Sequence, residues 1–295
     1  GRFGRLAGLV GWVINTLTLM VPKRKSKATE TLPLFAKAMS TQSIADDLSR
    51  VEGRPEFVSS GLRGLDNKLG GGFPVGGITL IAERPDSGAL ELVLSATLKT
   101  ARRKWPIALL SDRRDEVELQ RRLTAIEAKV SAYRAAAGLL SAEDRMAMVA
   151  ARKRVPWSRV AVLAGRAIAP PEVDELVFSY RPLCVVAELR PRAPDATQPM
   201  RIDSYKEGVA RLASLARRHH VAMVLMHGLP ASGAAPRTAE LPDRGSAVLQ
   251  AQTVILAQEA DNGLRLEITR TQGAALETPV SLRLRHDVRF DRVRV

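Results

Sequence analysis

The sequence predicts an α/β fold with a mainly parallel sheet flanked by helices. The first observation is that, from residue 77 onward, short apolar runs alternate with longer segments of helical periodicity. The second is that these runs are apolar throughout, which is typical of parallel strands buried on both faces. The third is a change near the C-terminal end, where strand-like runs are spaced as hairpins and predict antiparallel strands at one edge.

The predicted elements follow one another in a regular order. Five buried strands are predicted at "GITLIA" (77–82), "PIALL" (106–110), "VAVLA" (160–164), "LCVVAE" (183–188) and "VAMVLM" (221–226). Helices are predicted near residues 89–103, 115–136, 141–153, 171–181 and 203–220. The antiparallel strands are predicted at 253–258, 264–270, 279–286 and 288–293. Alternation of strands with helices of this length is typical of βαβ units.

Two regions precede the predicted domain. Residues 1–38 are an N-terminal extension, apolar at 6–21 and then basic, and we expect it to be poorly ordered. The apolar stretch is shorter than the ~20 residues that cross a bilayer. A membrane-surface anchor is therefore an alternative, but a membrane partner is not favoured. Residues 39–56 are predicted to form a linker helix, and the domain itself is expected over 57–295.

Charge and cysteine content limit the classes of partner and compartment. The formal net charge is +14, and its arginines are spread along the chain. Such an excess favours a polyanionic partner, although genome base composition can also enrich arginine. The one cysteine, Cys184, lies in an apolar run, which excludes an internal disulfide and a Cys-based zinc cage. We expect a buried structural thiol in a reducing compartment, the cytoplasm.

The segment after the first predicted strand has the layout of a phosphate-binding loop. The candidate nucleotide-binding residues are Glu83, Arg84, Pro85, Asp86, Ser87, Gly88, Ala89 and Leu90. A working loop uses a lysine for the outer phosphates and a Ser/Thr hydroxyl for Mg²⁺. Ala89 and Leu90 stand in those two places, and Glu83 and Asp86 add charges that repel phosphate. By itself the loop indicates a nucleotide site only weakly.

The surroundings of this loop carry a family resemblance. The segment 57–88 resembles the start of the RecA-like motor domain of the DnaB-type replicative helicases. The matching positions are Gly61, Leu65, Asp66, Gly72, Gly76, Arg84, Pro85 and Gly88. Later stretches at 137–145, 241–257 and 264–273 agree in the same order, and "SIADDLSRVEGR" is similar to the family's linker helix. The resemblance covers roughly residues 41–295 and implies a RecA-like P-loop NTPase fold.

The departures from the family pattern fall on its chemistry. By resemblance, Arg113 stands at the catalytic glutamate, Ala187 at the Mg²⁺-coordinating aspartate and Gly228 at the glutamine that senses the γ-phosphate. Arg270 keeps one cation of the intersubunit finger pair, while Gln272 replaces the other. The resemblance therefore implies a retained scaffold with a degenerate site and no catalytic residue, at which ATP and Mg²⁺ bind weakly or not at all.

Other polar residues are interpreted as structural. Glu188, next to Ala187, is expected to be an exposed strand-end carboxylate, with recruitment of a metal as a less favoured alternative. His219 and His220 suit a helix C-terminus. No metal site is predicted, because carboxylate or cysteine partners at ligand spacing are missing from the sequence around the histidines.

Two long loops are candidates for DNA contact. The family grips single-stranded DNA through loops after its fourth and fifth strands, and this sequence has arginines in both places. These candidates are Arg190, Arg192, Arg201, Arg237 and Arg244. Arginines there would meet phosphates and give affinity without base specificity. The alternative is that surface loops simply carry solvated charge.

The sequence thus predicts a DnaB-like RecA-fold protein with a non-catalytic role in DNA replication, recombination or repair. Expected partners are single-stranded DNA and either copies of the same chain in a ring or other replication proteins. One alternative is an active ATP-dependent helicase whose missing groups come from elsewhere. Another is a structural adaptor that binds a helicase or polymerase, and a recombinase-type or clock-type RecA-like module is a further one.

Overall fold

In the computed structural model, the described residues are 53–165, 170–188, 202–241, 248–260 and 263–285. The N-terminal extension, most of the predicted linker helix and the predicted strand at 288–293 lie outside them.

The described chain contains ten strands and seven α-helices. The strands are β1 (Phe57–Val58), β2 (Phe73–Pro74), β3 (Ile78–Glu83), β4 (Ile107–Ser111), β5 (Val160–Ala164), β6 (Cys184–Glu188), β7 (Ala222–Gly228), β8 (Thr253–Ala260), β9 (Gly263–Thr271) and β10 (Ala274–Arg285). The helices are α1 (Arg63–Leu69), α2 (Ala89–Arg102), α3 (Glu116–Ala128), α4 (Ala132–Ala136), α5 (Ala142–Arg152), α6 (Pro170–Tyr180) and α7 (Ile202–His219).

Eight strands form one sheet in the order β10-β9-β8-β3-β7-β6-β4-β5. The six strands from β8 to β5 are parallel to one another, whereas β9 is antiparallel to both β8 and β10. All residues of β3, β4 and β6 are buried, which is why those runs are apolar throughout. The predicted mainly parallel α/β fold with antiparallel C-terminal strands is confirmed.

Three local predictions were wrong or incomplete. The strand predicted at 253–258 as part of the antiparallel edge is β8, which pairs with β3 in parallel. The single helix predicted over 115–136 ends at Ala128, because Lys129 adopts a left-handed conformation with φ 62°. A strand that was not predicted, β2, directly follows the three glycines at 70–72 and pairs with β1. There, Gly72 has φ 130°, and a β carbon would lie 2.4 Å from the Val58 carbonyl oxygen.

The core is built from aliphatic side chains between the sheet and its helices. Helix α2 buries a broad face that includes Val93, Leu94 and Leu98, each at most 2% exposed. Cys184 begins β6 and is fully buried, so the expected structural thiol is confirmed in its placement. None of the described helices combines the length and apolar character needed to cross a membrane.

Candidate nucleotide-binding site

A cavity of about 670 Å³ lies at the carboxyl ends of the parallel strands. Its walls are the loop after β3, the first turn of α2, the loop after β4 and the end of β7, with Arg122 of α3 and Arg134 of α4 at one side. Ligand sites of α/β sheets lie at this edge because strand ends and helix N-termini meet there. The predicted loop residues Glu83 to Gly88 and Leu90 line the cavity, whereas Ala89 is buried beneath it.

Polar groups of the loop after β3 form hydrogen bonds with one another. Gly88 begins helix α2 with φ 83°, a left-handed conformation that favours glycine. The Ser87 hydroxyl donates to Glu83 Oε2 at 3.1 Å and accepts from the Ala89 backbone N–H at 3.2 Å. In a phosphate-binding loop, N–H groups at the start of the helix face the ligand. Here one of those donors is taken by a side chain of the loop itself.

Arg84 ties the loop after β3 to the segment after β7. Its guanidinium is buried, and it donates to the carbonyl oxygens of Pro230 at 2.8 Å and Ala234 at 3.2 Å. It also forms an ion pair with Glu240 at 2.7 Å, and the hydrogen bond from Arg84 lowers the pKa of the Glu240 carboxyl. The backbone N–H of Arg237 donates to the same carboxylate at 2.9 Å.

Glu188 is a buried carboxylate, contrary to the expectation of an exposed one. It is 1% exposed at the end of β6, and Ser111 Oγ of the adjacent strand β4 donates to it at 3.0 Å. Arg114 Nε donates to both of its oxygens, at 3.2 and 3.0 Å, and Arg113 Nη1 lies 3.6 Å away. A charge in this position needs such partners, because an unpaired buried carboxylate is strongly disfavoured.

The ion pairs continue from Glu188 along helix α3. Arg114 also pairs with Glu118, and Glu118 pairs with Arg122 at 3.0 Å. Arg122 reaches across to Glu91 in the first turn of α2. Burial opposes the charge of Glu118, but hydrogen bonds from Arg114 and Arg122 outweigh it and lower the pKa of this carboxyl. These pairs join β6, α3 and α2 around the cavity.

All five arginines that line the cavity have a carboxylate partner within 4 Å. The pairs are Arg84–Glu240, Arg113–Glu188, Arg114–Glu188, Arg122–Glu91 and Arg134–Asp144. We call these residues the paired arginine set. With Glu118, which pairs with both Arg114 and Arg122, five carboxylates balance the five arginines, so this positive charge is not free to contact a phosphate.

Glu83 places an acid at the base of the cavity. Burial raises the pKa of its carboxyl to about 7, and the charges of Glu188 and Glu91 act in the same direction. The hydrogen bond from Ser87 and the charge of Arg113 oppose this shift only in part. Above neutral pH this carboxyl adds a negative charge at the end of β3.

His227 and Gly228 end β7 beside Arg113. Burial and the positive charge of Arg113 lower the pKa of His227 to about 4, so the imidazole is neutral at physiological pH. A β carbon on Gly228 would lie 2.4 Å from Arg113 Nη1. The arginine at one predicted catalytic position thus occupies the space left by the missing side chain at another.

The lining of the cavity does not fit Mg²⁺–ATP. Among its described residues there is no lysine, and Leu90 supplies no hydroxyl for a metal. Ala187 is buried in β6, and the neighbouring carboxylate of Glu188 is held by two arginines and a serine. The donor set available is a group of acids and arginines that pair with one another.

The other predicted site residues lie away from the cavity or outside the described chain. Arg237 is exposed after β7, in keeping with its predicted position on a loop. Arg270 is on β9, and its buried Nε has no hydrogen-bond partner among the described residues, while the Gln272 amide nitrogen lies over Gly70 at the end of α1. The remaining DNA candidates, Arg190, Arg192, Arg201 and Arg244, are outside the described residues.

The ion-pair residues at and just before the start of α3 were not predicted from the sequence, although a signal was present. Arg114, Glu118 and Arg122 recur every four residues, a spacing that places opposite charges side by side on a helix. Their link to Glu188 spans 74 residues of sequence and had no local signal.

Two solved structures have a fold similar to that of this chain. The chain is similar to a solved ATPase domain, with a TM-score of 0.62 and 16% identity over 82% of this chain and 94% of that one. It is also similar to a DnaB-like replicative helicase solved for its interactions with primase, with a TM-score of 0.63 and 15% identity over 94% of this chain and 72% of that one. The described chain therefore has the RecA-like fold of DnaB-type helicase ATPase domains. No protein-family model and no curated protein matches the sequence.

Proposed function

We propose that this chain is a RecA-fold protein that does not hydrolyse nucleoside triphosphates and acts as a DNA-binding or helicase-associated factor in DNA replication, recombination or repair. The single observation that supports the absence of hydrolysis is the paired arginine set around the cavity. Phosphoryl transfer depends on cations that neutralise the developing charge of the transition state. Arginines already held by carboxylates cannot take that role without breaking their own ion pairs.

The identity of the residues at the predicted catalytic positions supports the same proposal. Arg113 and Gly228 pack against each other at two of these positions, and Ala187 at a third lacks a metal ligand. Glu83 carries a carboxyl where a phosphate ligand requires positive or neutral surroundings. Removal of a single electrostatic element typically costs about 10²–10³ in rate, so several together leave no efficient route.

The fold and the net charge support the proposal that this chain contacts DNA. One of the similar proteins is a replicative helicase that interacts with primase, which makes DNA and replication proteins the partners of choice for this chain. The charge of +14 supports contact with a phosphate backbone. In this proposal Arg237, together with Arg190, Arg192, Arg201 and Arg244, contributes loop contacts to single-stranded DNA, and Arg270 faces a neighbouring copy.

An active ATP-dependent helicase is the second candidate, because the cavity is retained. A volume of about 670 Å³ lies within the range of ligand sites. In this alternative, a neighbouring subunit supplies the missing cation and the ion pairs rearrange when nucleotide binds. A structural adaptor without DNA affinity is the third.

ATP hydrolysis by the purified full-length chain, with and without single-stranded DNA and Mg²⁺, separates the first two candidates. We expect no turnover above that of Gly88→Trp, a variant that fills the loop with an indole. Turnover that DNA stimulates and that Gly88→Trp abolishes would establish the active helicase instead. Activity equal in both proteins would identify a contaminating ATPase and leave the proposal standing.

Titration with single-stranded DNA at two salt concentrations tests the other half of the proposal. We expect binding without nucleotide that weakens steeply with salt, because each phosphate contact releases counterions. Tight binding to a replication protein combined with no DNA affinity would support the adaptor.

A further inference from the structure

The opposite edge of the sheet carries a different charge pattern. Strands β7, β6, β4 and β5 are adjacent and parallel, so all four begin at the edge remote from the cavity. With neighbouring strands about 4.8 Å apart, the four starts span roughly 15 Å. We call the surface formed by the residues just before these strands the amino-end face.

Contacts between the connecting segments hold the amino-end face together. The Leu183 N–H donates to the Pro106 carbonyl at 2.7 Å, which joins the starts of β6 and β4. The Tyr180 hydroxyl donates to the Ser158 carbonyl at 3.5 Å, which joins the approaches to β6 and β5. Arg54 donates to carbonyls at the starts of both β6 and β7, among them Arg181 at 3.1 Å and His220 at 2.8 Å. The four approaches therefore form one continuous surface.

Each approach to this face contributes cations. The exposed ones are Arg103 and Lys104 before β4, Arg152 and Lys153 before β5, and Arg217 and Arg218 before β7. Arg181, before β6, is half-buried. We call the six exposed side chains the basic row.

Among the described residues, the cations of the basic row differ from the paired arginine set in forming no ion pair with a carboxylate. Glu127 forms ion pairs with Arg102 and Arg154 at the border of the face, and Asp174 forms one with Arg211. Across the described part of the chain, no ion pair joins a member of the basic row to an acid. The carboxyl ends of four helices contribute only about half a negative charge each, which is less than the charge of six cations. The basic row therefore concentrates exposed cations that are not held in ion pairs with described residues.

An exposed aromatic ring lies within this face. Phe178 is 67% exposed, and its ring meets that of His219 edge to face at a centroid distance of 6.5 Å. Partial burial lowers the pKa of His219, the charges of Arg218, Arg181 and Arg54 add to this, and the charge of Asp174 opposes it. An exposed ring beside exposed cations is the combination with which proteins bind single strands, because bases stack on the ring while cations contact phosphates.

We propose that the amino-end face binds the sugar–phosphate backbone of single-stranded nucleic acid, with Phe178 as a stacking platform. The amino-end face lies at the opposite edge of the sheet from the cavity and from the loop that carries Arg237. Binding at the amino-end face would supply part of the DNA contact in the proposed function, and it does not depend on whether the cavity hydrolyses ATP.

Binding of a labelled oligothymidine to the full-length chain tests this inference through charge reversal. The test variant is Arg152→Glu/Lys153→Glu/Arg217→Glu/Arg218→Glu. We expect its affinity to fall at least tenfold, and the slope of log affinity against log salt to decrease by about 0.7 for each phosphate that the variant no longer neutralises. For an equal change of net charge, the pair Arg152→Glu/Lys153→Glu is compared with the control Arg63→Glu/Arg121→Glu, which reverses two exposed cations on α1 and α3 and should weaken binding much less than that pair.

A second variant identifies nucleic acid as the ligand. Phe178→Ala should weaken oligothymidine binding severalfold while leaving binding of inorganic polyphosphate unchanged, because polyphosphate has no bases to stack. Circular dichroism and thermal unfolding of each variant verify the fold. If the quadruple variant is unfolded, the pair Arg152→Glu/Lys153→Glu replaces it.

Three results would overturn the inference. One is unchanged oligothymidine affinity in the folded charge-reversal variants while Arg237→Glu abolishes binding, which would assign all contact to the loops. Another is equal loss of affinity in Arg152→Glu/Lys153→Glu and Arg63→Glu/Arg121→Glu, which would show that only net charge matters. The third is binding to vesicles of anionic phospholipid without binding to oligothymidine, which would make the face a membrane surface.

Discussion

The guanidinium of Arg113 lies directly against the Cα of Gly228, so closely that a β carbon there would be 2.4 Å from Nη1. The same guanidinium approaches Glu188 Oε1 at 3.6 Å. The absence of a side chain at the end of β7 is thus what allows Arg113 to reach the buried carboxylate of β6. Two substitutions at the predicted catalytic positions are physically coupled.

This coupling predicts non-additive stabilities. Gly228→Ala should lower the free energy of unfolding by about 1 kcal/mol, because the added methyl group displaces Arg113 from Glu188. In an Arg113→Ala background the same change should cost close to nothing, since the clash is gone. Urea denaturation of the two single variants and the double variant gives the coupling energy. Strict additivity would show that Arg113 does not occupy this space in solution.

Glu188 should be more important for stability than any exposed ion pair. Glu188→Gln leaves Arg114 and Arg113 without their shared partner in a buried setting, and we expect a loss of roughly 2–4 kcal/mol of unfolding free energy. The matched control is Asp174→Asn, which breaks the exposed pair with Arg211 and should cost under about 1 kcal/mol. Chemical denaturation measures both. Equal losses would mean that the network around the cavity is solvated.

The sequence was sufficient for the parallel core of the fold, because burial on both faces leaves a direct pattern. The run at 160–164 matches β5 residue for residue, and α2 was predicted to within one residue. The direction of β8 was not predictable in the same way. An apolar run is equally buried whether its neighbour is parallel or antiparallel, and direction depends on the path of the preceding chain.

The site was predictable only in part for a similar reason. The resemblance predicted the loop at 83–90 and the substituted positions, because both are recognised from short stretches of consecutive residues. The burial of Glu188 depends on Ser111, 77 residues earlier in the chain, and on Arg114. A long-range pair of this kind leaves no periodic pattern, so the expectation of an exposed carboxylate was wrong.

Cys184 gives a direct measure of global unfolding. Burial raises the pKa of its thiol to about 12, and the side chain is fully buried at the start of β6. Because the thiolate is the reactive form, iodoacetamide should modify the native chain only as fast as the protein unfolds. Alkylation followed by mass spectrometry measures this rate, with protein in urea as the fully reactive control. Rapid modification of the folded chain would contradict the burial of β6.

The raised pKa of Glu83 predicts a stability that falls as pH rises. The folded chain keeps a proton on Glu83 up to about pH 7, whereas the unfolded chain releases it near pH 4.5. Stability from this group is therefore complete below pH 4.5 and is lost as pH rises through 7, by up to about 3 kcal/mol. His227 acts in the opposite sense, because its pKa falls from 6.5 to about 4 and acid then destabilises the fold.

Glu83→Gln separates these two contributions. The variant keeps the hydrogen-bonding shape but cannot ionise, so its stability should exceed that of the parent increasingly between pH 4.5 and 8. Between pH 6.5 and 4.5, acid stabilises the parent through Glu83 and destabilises it through His227, so the two effects offset each other. The variant lacks the first effect and should therefore lose stability with acid. Denaturant midpoints across this pH range measure both effects, with the exposed Glu143→Gln as the control that should follow the parent. Parallel profiles for parent and Glu83→Gln would show that water reaches the base of the cavity and keeps this carboxyl ionised.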